Sequence, residues 1–201
     1  MLVDLSVRDF AKKVASSEPV VPAGGCVTAL SGVMGVSLLE MSVDSAFSHP
    51  TGEKHEEFFR KAKIQLAKLH EELLMCIERD ATAYHGVLKA YKLPKSTPEE
   101  IKERREKIQA AALSAIEVPL TICETCLMAL EPGISMLPIV KPGVLGDLKI
   151  GLLVLKTSIE GSLAAARINL SLIHDHAVAE EFQTRINKIQ TGFETAVIKL
   201  R

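Results

Sequence analysis

At residues 20–35 the chain reads VVPAGGCVTALSGVMG, which joins the glycine pair Gly24 and Gly25 to a run of small residues with no charge before Glu40. Two adjacent glycines let the backbone adopt positive φ and approach a ligand closely, and a helix that starts near Cys26 leaves its first N–H groups unpaired. Such amides are able to hold an anion or a polar ring edge. The alternative is a tight turn, followed by small residues that only let another helix cross.

The composition of the chain favours helices that pack through aliphatic side chains. Aromatic residues make up 4% of the 201 residues and tryptophan is absent, whereas Ala, Leu, Ile, Glu and Lys dominate. The length suits one domain over residues 1–201, whose core is large enough to need no disulfides or metals. We therefore expect an all-α, multi-helical single domain.

Charge and cysteine usage bear on partners and on the compartment. A formal net charge of −1 gives no overall field that would attract nucleic acid or an anionic membrane. The four cysteines are too few and too scattered for a disulfide scaffold, and the N-terminus does not resemble a signal peptide, so we expect a cytoplasmic protein. Cys123 and Cys126 have the spacing of a redox or zinc half-site, but no second pair matches them, and we expect no metal.

Helical periodicity accounts for most of the chain. The pattern predicts a short helix over 4–16 capped by Ser6, with Val7, Phe10, Ala11 and Val14 facing inward. It also predicts a buried central helix over about 26–48, which the glycine pair makes too short to cross a membrane. A turn at 49–52 precedes a long amphipathic helix over 53–91. Further helices are predicted from Thr97 to Glu131 with a bend or restart at Pro119, from a cap at Asp147, and over 179–200; residues 132–146 are expected to be an irregular segment.

Asp80 stands out on the long helix, because it lies three residues after Ile77 and four before Tyr84 on the apolar stripe. A buried carboxylate is unfavourable unless it is paired, and no cation stands four residues away on either side. Asp80 is therefore either a functional group in a partly dry pocket or a carboxylate at the edge of the stripe that reaches water.

Several stretches in a fixed order resemble one family. Residues 22–32, PAGGCVTALSG, resemble the Pro-Gly-Gly-Gly-Ser-Val-x-Ala-x-x-Gly signature of the formiminotransferase-cyclodeaminase C-terminal domain family, which includes stand-alone methenyltetrahydrofolate cyclohydrolases. Residues 80–84 resemble its Asp-x-x-Ala-Tyr/Phe motif, and 167–170 with Asp175 resemble its closing segment. Leu93-Pro94, 118–120 and Asp147 fall in the expected order. The resemblance covers nearly the whole chain and implies the multi-helical fold of the family, with a long central helix, as a homodimer.

The same resemblance implies which residues form the site. Asp80 and Asp147 are expected to be catalytic, Asp80 as the acid or base and Asp147 as a partner of the pterin ring or of a cation. Substrate-binding residues are expected to be Gly24, Gly25, Cys26, Tyr84, Arg167 and Asn169. His55, His85 and His174 are alternatives for proton transfer.

The chain also departs from the family pattern. Ala23 and Cys26 stand where Gly and Ser are typical, Ala165 stands near a usual Asn, and residues 141–146 read KPGVLG where the family typically has Asn-x-Asn-x-x-Ser. These departures remove several hydrogen-bonding side chains, so the alternative to an enzyme is a non-catalytic helical relative that binds a folate-like ligand or a protein partner.

The resemblance implies an enzyme of folate one-carbon metabolism that needs no cofactor beyond its tetrahydrofolate substrate. Such an enzyme converts formiminotetrahydrofolate to methenyltetrahydrofolate with release of ammonia, or hydrolyses methenyltetrahydrofolate to formyltetrahydrofolate. Both reactions transfer protons, for which a partly buried carboxylate is suited. Small residues at Ala29, Gly32, Gly35, Gly161 and Ala164 are expected to let two subunits approach closely in the homodimer.

Overall fold

The computed structural model describes residues 1–18, 20–47 and 53–200. Helices are the only regular secondary structure in these residues. There are six α-helices in these residues: α1 Val7–Val14, α2 Gly24–Ala46, α3 Glu56–Tyr91, α4 Pro98–Met136, α5 Leu145–Leu170 and α6 His176–Ile198. Short 3₁₀ turns precede α1 at Leu2–Asp4 and α5 at Pro142–Val144. The expectation of an all-α, multi-helical chain is confirmed, and the turn predicted at 49–52 lies outside the described residues.

Helix α2 is the centre of the bundle, as its lack of charge before Glu40 predicts. It packs against α3, α4 and α5, and ten of its residues are buried. Its small residues allow this packing: a Cβ built on Gly35 would lie 2.7 Å from Leu155 Cγ and 3.0 Å from the carbonyl oxygen of Gly151. Gly32 is likewise closed in by Cys126 and Leu73.

These contacts show that most of the small residues predicted to lie between two subunits are inside one chain. Ala29, Gly32 and Gly35 are buried inside the chain, and a Cβ on Gly161 would meet Thr28 of α2 at 2.7 Å. Only Ala164 of the predicted small-residue faces is exposed. The small residues therefore pack helices of one chain together and are not free to receive a second subunit.

Helix α4 begins where the sequence predicts and ends later, whereas α3 ends at Tyr91 as predicted. Thr97 and Glu100 form a reciprocal capping box at the start of α4. The predicted restart at Pro119 is wrong, because α4 runs through Pro119 and Pro132 to Met136 as one helix. Most of the predicted irregular segment 132–146 is consequently taken up by the end of α4, a 3₁₀ turn and the start of α5.

Three local expectations at helix starts also need correction. The glycine pair lies inside the first turn of α2 and has no positive φ, so it is part of a helix and not a loop before it. Asp147 lies in the first turn of α5, whose cap position is Val144, and forms no capping hydrogen bond. Ser6 does cap α1, but Val7 is 84% exposed and only Phe10 of the predicted inward stripe is buried.

The direction of α5 determines which residues meet. Gly151 and Leu155 pack on Gly35, whereas Gly161 and Ser162 contact Thr28, so α5 runs antiparallel to α2. The first turn of α2 therefore lies beside the C-terminal half of α5 and, through Asp80, beside the C-terminal half of α3.

Two helices, α2 and α4, are long and apolar enough to cross a membrane by length and composition. In the most apolar 18-residue stretch of each helix, 50% of α2 and 56% of α4 is buried inside the bundle. A central helix of a packed bundle has the same properties.

Candidate functional site at the start of α2

The carboxylate of Asp80 lies against the first turn of α2. A Cβ built on Gly25 would have its three nearest neighbours in this carboxylate, the closest being Oδ1 at 2.0 Å. The Cys26 thiol is 3.1 Å from Asp80 Oδ2 and donates to it. Ala23 at the cap position of α2 provides no side-chain acceptor, so Asp80 supplies a negative charge from α3 where the helix leaves its N–H groups unpaired.

Burial determines the electrostatics of this contact. Loss of hydration raises the pKa of Asp80, and the hydrogen bonds from the Cys26 side chain and backbone lower it by less. The described residues contain no ion pair to Asp80 that would offset the burial. Burial also raises the pKa of Cys26 to about 12, with the Asp80 charge as the second cause. At neutral pH the thiol therefore keeps its proton and acts as the donor.

A second set of hydrogen bonds fixes the first turn of α2 to α5. Thr28 donates to the Gly25 carbonyl oxygen over 3.0 Å, and Ser162 donates to the Thr28 hydroxyl over 2.9 Å. Ser158 donates to the Thr28 carbonyl oxygen over 2.7 Å. Ser158 and Ser162 are fully buried. The sequence analysis missed both, although their spacing of four residues places them on one face of α5 beside Gly161.

Three of the predicted binding residues lie at the same end of the bundle as Asp80. Tyr84 is half-buried one turn further along α3. Asn169 is half-buried in the last turn of α5, where its amide donates to the Ala115 carbonyl oxygen of α4 over 2.7 Å. Arg167 is exposed and donates to Gln190 of α6 over 3.1 Å. Asn169 and Arg167 therefore also hold helices together.

Asp147 is not close to Asp80 within one chain. It lies in the first turn of α5, roughly 15 residues before Ser162, which at about 1.5 Å per residue is on the order of 22 Å along the helix axis. Ser162 contacts Thr28 in the first turns of α2, beside Asp80. Asp80 and Asp147 therefore do not meet within one chain, because α2 and α5 are antiparallel.

A groove of about 950 Å³ lies elsewhere, between α3, α4 and α6. None of the predicted site residues lines it. Its charged wall is used structurally: Arg185 of α6 donates to both oxygens of Glu124, at 2.7 and 2.8 Å, and to Glu117 at 2.7 Å, which raises the pKa of the guanidinium. The same described residues contain no group of three or more His, Cys, Asp or Glu that could hold a metal ion.

Comparison with known proteins agrees with the resemblance noted in the sequence. A family model described as formiminotransferase-cyclodeaminase matches residues 6–188. The chain is 28% identical over 176 residues to methenyltetrahydrofolate cyclohydrolase of Methylorubrum extorquens, a match that covers 88% of this chain and 84% of that protein. It is also 28% identical over 189 residues to formimidoyltransferase-cyclodeaminase of Mus musculus.

The mouse match covers 94% of this chain and 35% of the relative, so the chain spans about a third of that protein's length. A crystal structure of formiminotetrahydrofolate cyclodeaminase from Thermotoga maritima superimposes with a TM-score of 0.88 at 20% sequence identity, over 100% of this chain and 96% of the other. This structural similarity supports the all-α fold.

Proposed function

Because this chain belongs to the formiminotransferase-cyclodeaminase family, we propose that it is a folate one-carbon enzyme that acts on the carbon bridging N5 and N10 of tetrahydrofolate. It converts formiminotetrahydrofolate to methenyltetrahydrofolate with release of ammonia, or hydrolyses methenyltetrahydrofolate to formyltetrahydrofolate. The observation that supports this best is the half-buried Asp80, whose pKa is raised at the start of α2 beside Gly25 and Cys26. We also propose a cytoplasmic location, because the four cysteines are free, as is usual in a reducing compartment.

Proton transfer by Asp80 balances both reactions. In the cyclodeaminase reaction N10 attacks the formimino carbon and its proton passes to the former imine nitrogen; the protonated Asp80 gives this nitrogen a second proton, so that ammonia leaves and the methenyl cation remains. In the cyclohydrolase reaction the ionised Asp80 takes a proton from water as its oxygen adds to the methenyl carbon; the N5–carbon bond of this adduct then breaks, N5 takes up the hydroxyl proton and the formyl group stays on N10. A raised pKa keeps more of Asp80 protonated at a given pH, which the first reaction needs, and makes its carboxylate a stronger base for the second.

The other predicted binding residues lie at the same end of the bundle. Gly24, where a Cβ would meet nothing within 4 Å, leaves the start of α2 open for the ligand, and Tyr84 offers an aromatic face one turn from Asp80. Arg167 and Asn169 bind the ligand at the end of α5. Neither reaction requires a metal or a cofactor besides the folate substrate, since both consist of nucleophilic addition and proton transfer.

The test is to incubate the pure protein with formiminotetrahydrofolate and, separately, with methenyltetrahydrofolate while following the methenyl absorbance. A rise with the first substrate identifies a cyclodeaminase, and an accelerated fall with the second identifies a cyclohydrolase. If neither signal changes with saturating substrate and a correctly folded protein, the proposal is wrong. Thermal stabilisation by folate without product would then support the non-catalytic binding protein.

The second part of the proposal is that the protein is a homodimer. Its support is an exposed, uncharged face formed by α2 and α5, with Met34 49%, Met41 41%, Ile150 52% and Leu153 60% exposed. Two adjacent helices of this length present on the order of 700 Å², close to the roughly 800 Å² per partner buried in a stable protein interface. A monomer in light scattering at micromolar concentration would contradict the dimer.

A homodimer also gives Asp147 a role. Asp147 and Asp80 lie near opposite ends of the α2–α5 face, and a two-fold axis through the middle of this face sets the two copies antiparallel. Asp147 of one copy then approaches Asp80 of the other. Each complete site would in that case be built from two chains.

A further inference from the structure

Cys26 is the third residue of α2 and its side chain is fully buried. Its sulfur lies 3.1 Å from Asp80 Oδ2 and 3.4 Å from the Ile77 carbonyl oxygen, both on α3. The thiol has one proton for these two acceptors. When Asp80 is ionised, its charge makes it the stronger acceptor, and when Asp80 is protonated the Ile77 carbonyl oxygen remains available to the thiol.

Among the described residues on the helices around Asp80, no other titratable group takes the place of Cys26 as its hydrogen-bond partner. From α2 only Cys26 faces the carboxyl group, since Gly24 to Leu39 carry no charge. On α3, the Asp80 charge reaches Cys76, which keeps its proton because its pKa is raised to about 11, mainly by burial. Helix α4 and the first 3₁₀ turn, which also pack on α3, contribute no described charge to the Asp80 environment.

A thiol is a weaker hydrogen-bond donor than a hydroxyl group. A serine hydroxyl at position 26 would therefore be a stronger donor to Asp80 than the thiol of Cys26. The ionised carboxylate therefore receives less stabilisation here than a serine hydroxyl would give, while its desolvation is unchanged. The geometry permits a serine at this position, because the sulfur already lies within hydrogen-bond distance of Oδ2.

We propose that Cys26 is a positioning residue, whose thiol holds the Asp80 carboxyl group against Gly25 and, as a weak donor, lowers the pH of proton transfer by Asp80 less than a serine hydroxyl would. This inference rests on the proposed function of Asp80 and adds to it the residue that tunes it. Cys26 itself does not react, because it is buried and keeps its proton.

The test compares Cys26→Ser and Cys26→Ala with the wild-type protein in the pH dependence of methenyl turnover. The limb of the pH–rate profile that follows the ionisation of Asp80 is the quantity compared. We expect this limb to move to lower pH by on the order of half to one unit in Cys26→Ser, and to higher pH in Cys26→Ala. The direction is the same for either reaction, because both depend on the same ionisation. A role limited to packing would change the melting temperature and leave the limb in place.

Cys123→Ser is the matched control. Cys123 is also fully buried and its thiol points to the Ile159 carbonyl oxygen at 3.6 Å, so the substitution makes the same thiol-to-hydroxyl change away from Asp80. We expect its pH limb to coincide with that of the wild-type protein. A limb that moves equally in Cys123→Ser and Cys26→Ser would overturn the proposal.

A measurement without turnover keeps the proposal separate from the enzymatic one. The S–H stretching band in infrared difference spectra reports the acceptor of a buried thiol. We expect a pH-dependent shift of this band that disappears in Cys26→Ser and in Asp80→Asn and persists in Cys123→Ser. A band that does not respond to pH would overturn the inference even if the protein is active, whereas a normal shift in an inactive protein would count against the proposed function only.

Discussion

A Cβ placed on Gly25 would lie 2.0 Å from Oδ1 of Asp80, so the carboxylate occupies the space that any other residue would fill at position 25. The glycine is needed here for close approach and not for an unusual backbone, since its φ is not positive. Position 25 and the carboxyl group of Asp80 therefore have to be considered together.

Replacing Gly25 with alanine should displace the Asp80 carboxyl group and lower turnover by on the order of tenfold to a hundredfold. Alanine is favoured over glycine inside a helix by about 1 kcal/mol, which works against a general loss of stability. Gly86→Ala on α3 is the control, because a Cβ there meets nothing within 4 Å. Wild-type turnover in Gly25→Ala would show that the position of the carboxyl group does not matter for the reaction.

Asp80→Asn should nearly preserve the shape of the side chain while removing proton transfer. We expect turnover to fall on the order of a hundredfold or more, with a small change in melting temperature. Glu71→Gln, which removes an exposed carboxylate from the same helix, should stay active. If Asp80→Asn remains active within a few fold, the acid or base has to be sought at Asp147 or at a histidine.

The pH dependence of stability gives an independent test of the burial of Asp80. Its pKa is raised in the folded protein, so folding favours the protonated form, and the stability that Asp80 contributes is fully present below its unfolded pKa and lost as pH rises through the folded pKa. Asparagine stays neutral and undergoes no such loss. Thermal melts should therefore show that Asp80→Asn becomes more stable relative to the wild-type protein as pH rises above the unfolded value of 3.8, and a difference that does not change with pH would contradict the burial.

The prediction from sequence succeeded where local chemistry decides the structure. Ser6, Thr97 and the apolar stripe of α3 are local signals, and the helix starts and the long helix they predict are present. Asp80 was recognised because a carboxylate interrupts an apolar stripe, which the sequence shows directly.

The failures have a common cause in tertiary packing. Pro119 and Pro132 are buried within α4, where packing outweighs the local tendency of proline to end a helix. The order of motifs along the chain carries no information on the antiparallel course of α5, which separates Asp147 from Asp80 within one chain. Ser158 and Ser162 were missed because their partner, Thr28, lies more than a hundred residues away in sequence.

Removal of the Ser158 hydroxyl should weaken the attachment of α2 to α5. Its oxygen donates to the Thr28 carbonyl oxygen and lies 3.3 Å from the Cys126 sulfur, all in the core. We expect Ser158→Ala to lower the free energy of unfolding by about 1–3 kcal/mol, measured by denaturant titration. Ser135→Ala is the control, since Ser135 is exposed and bonds only to the backbone of its own helix. Equal effects of the two substitutions would argue against a structural role for the buried network.

Mixing two inactive variants tests whether Asp147 acts across a dimer. If each site takes Asp80 from one copy and Asp147 from the other, Asp80→Asn and Asp147→Asn should each be inactive alone. A mixed dimer, formed by unfolding and refolding the two together, contains one intact site and one doubly altered site. With random pairing, half of the dimers are mixed, so the mixture should recover about a quarter of the wild-type turnover.

The control for this experiment pairs Asp80→Asn with Gly25→Ala. Asp80 and Gly25 are in contact within one chain, so both lesions affect the same half of a site and mixed dimers contain no intact site. We therefore expect no recovery from this second mixture. Recovery in both mixtures would indicate an effect of refolding and not of shared sites. Two inactive variants that fail to complement would exclude the arrangement in which Asp147 reaches Asp80 of the other copy, and an active Asp147→Asn would remove Asp147 from the reaction altogether.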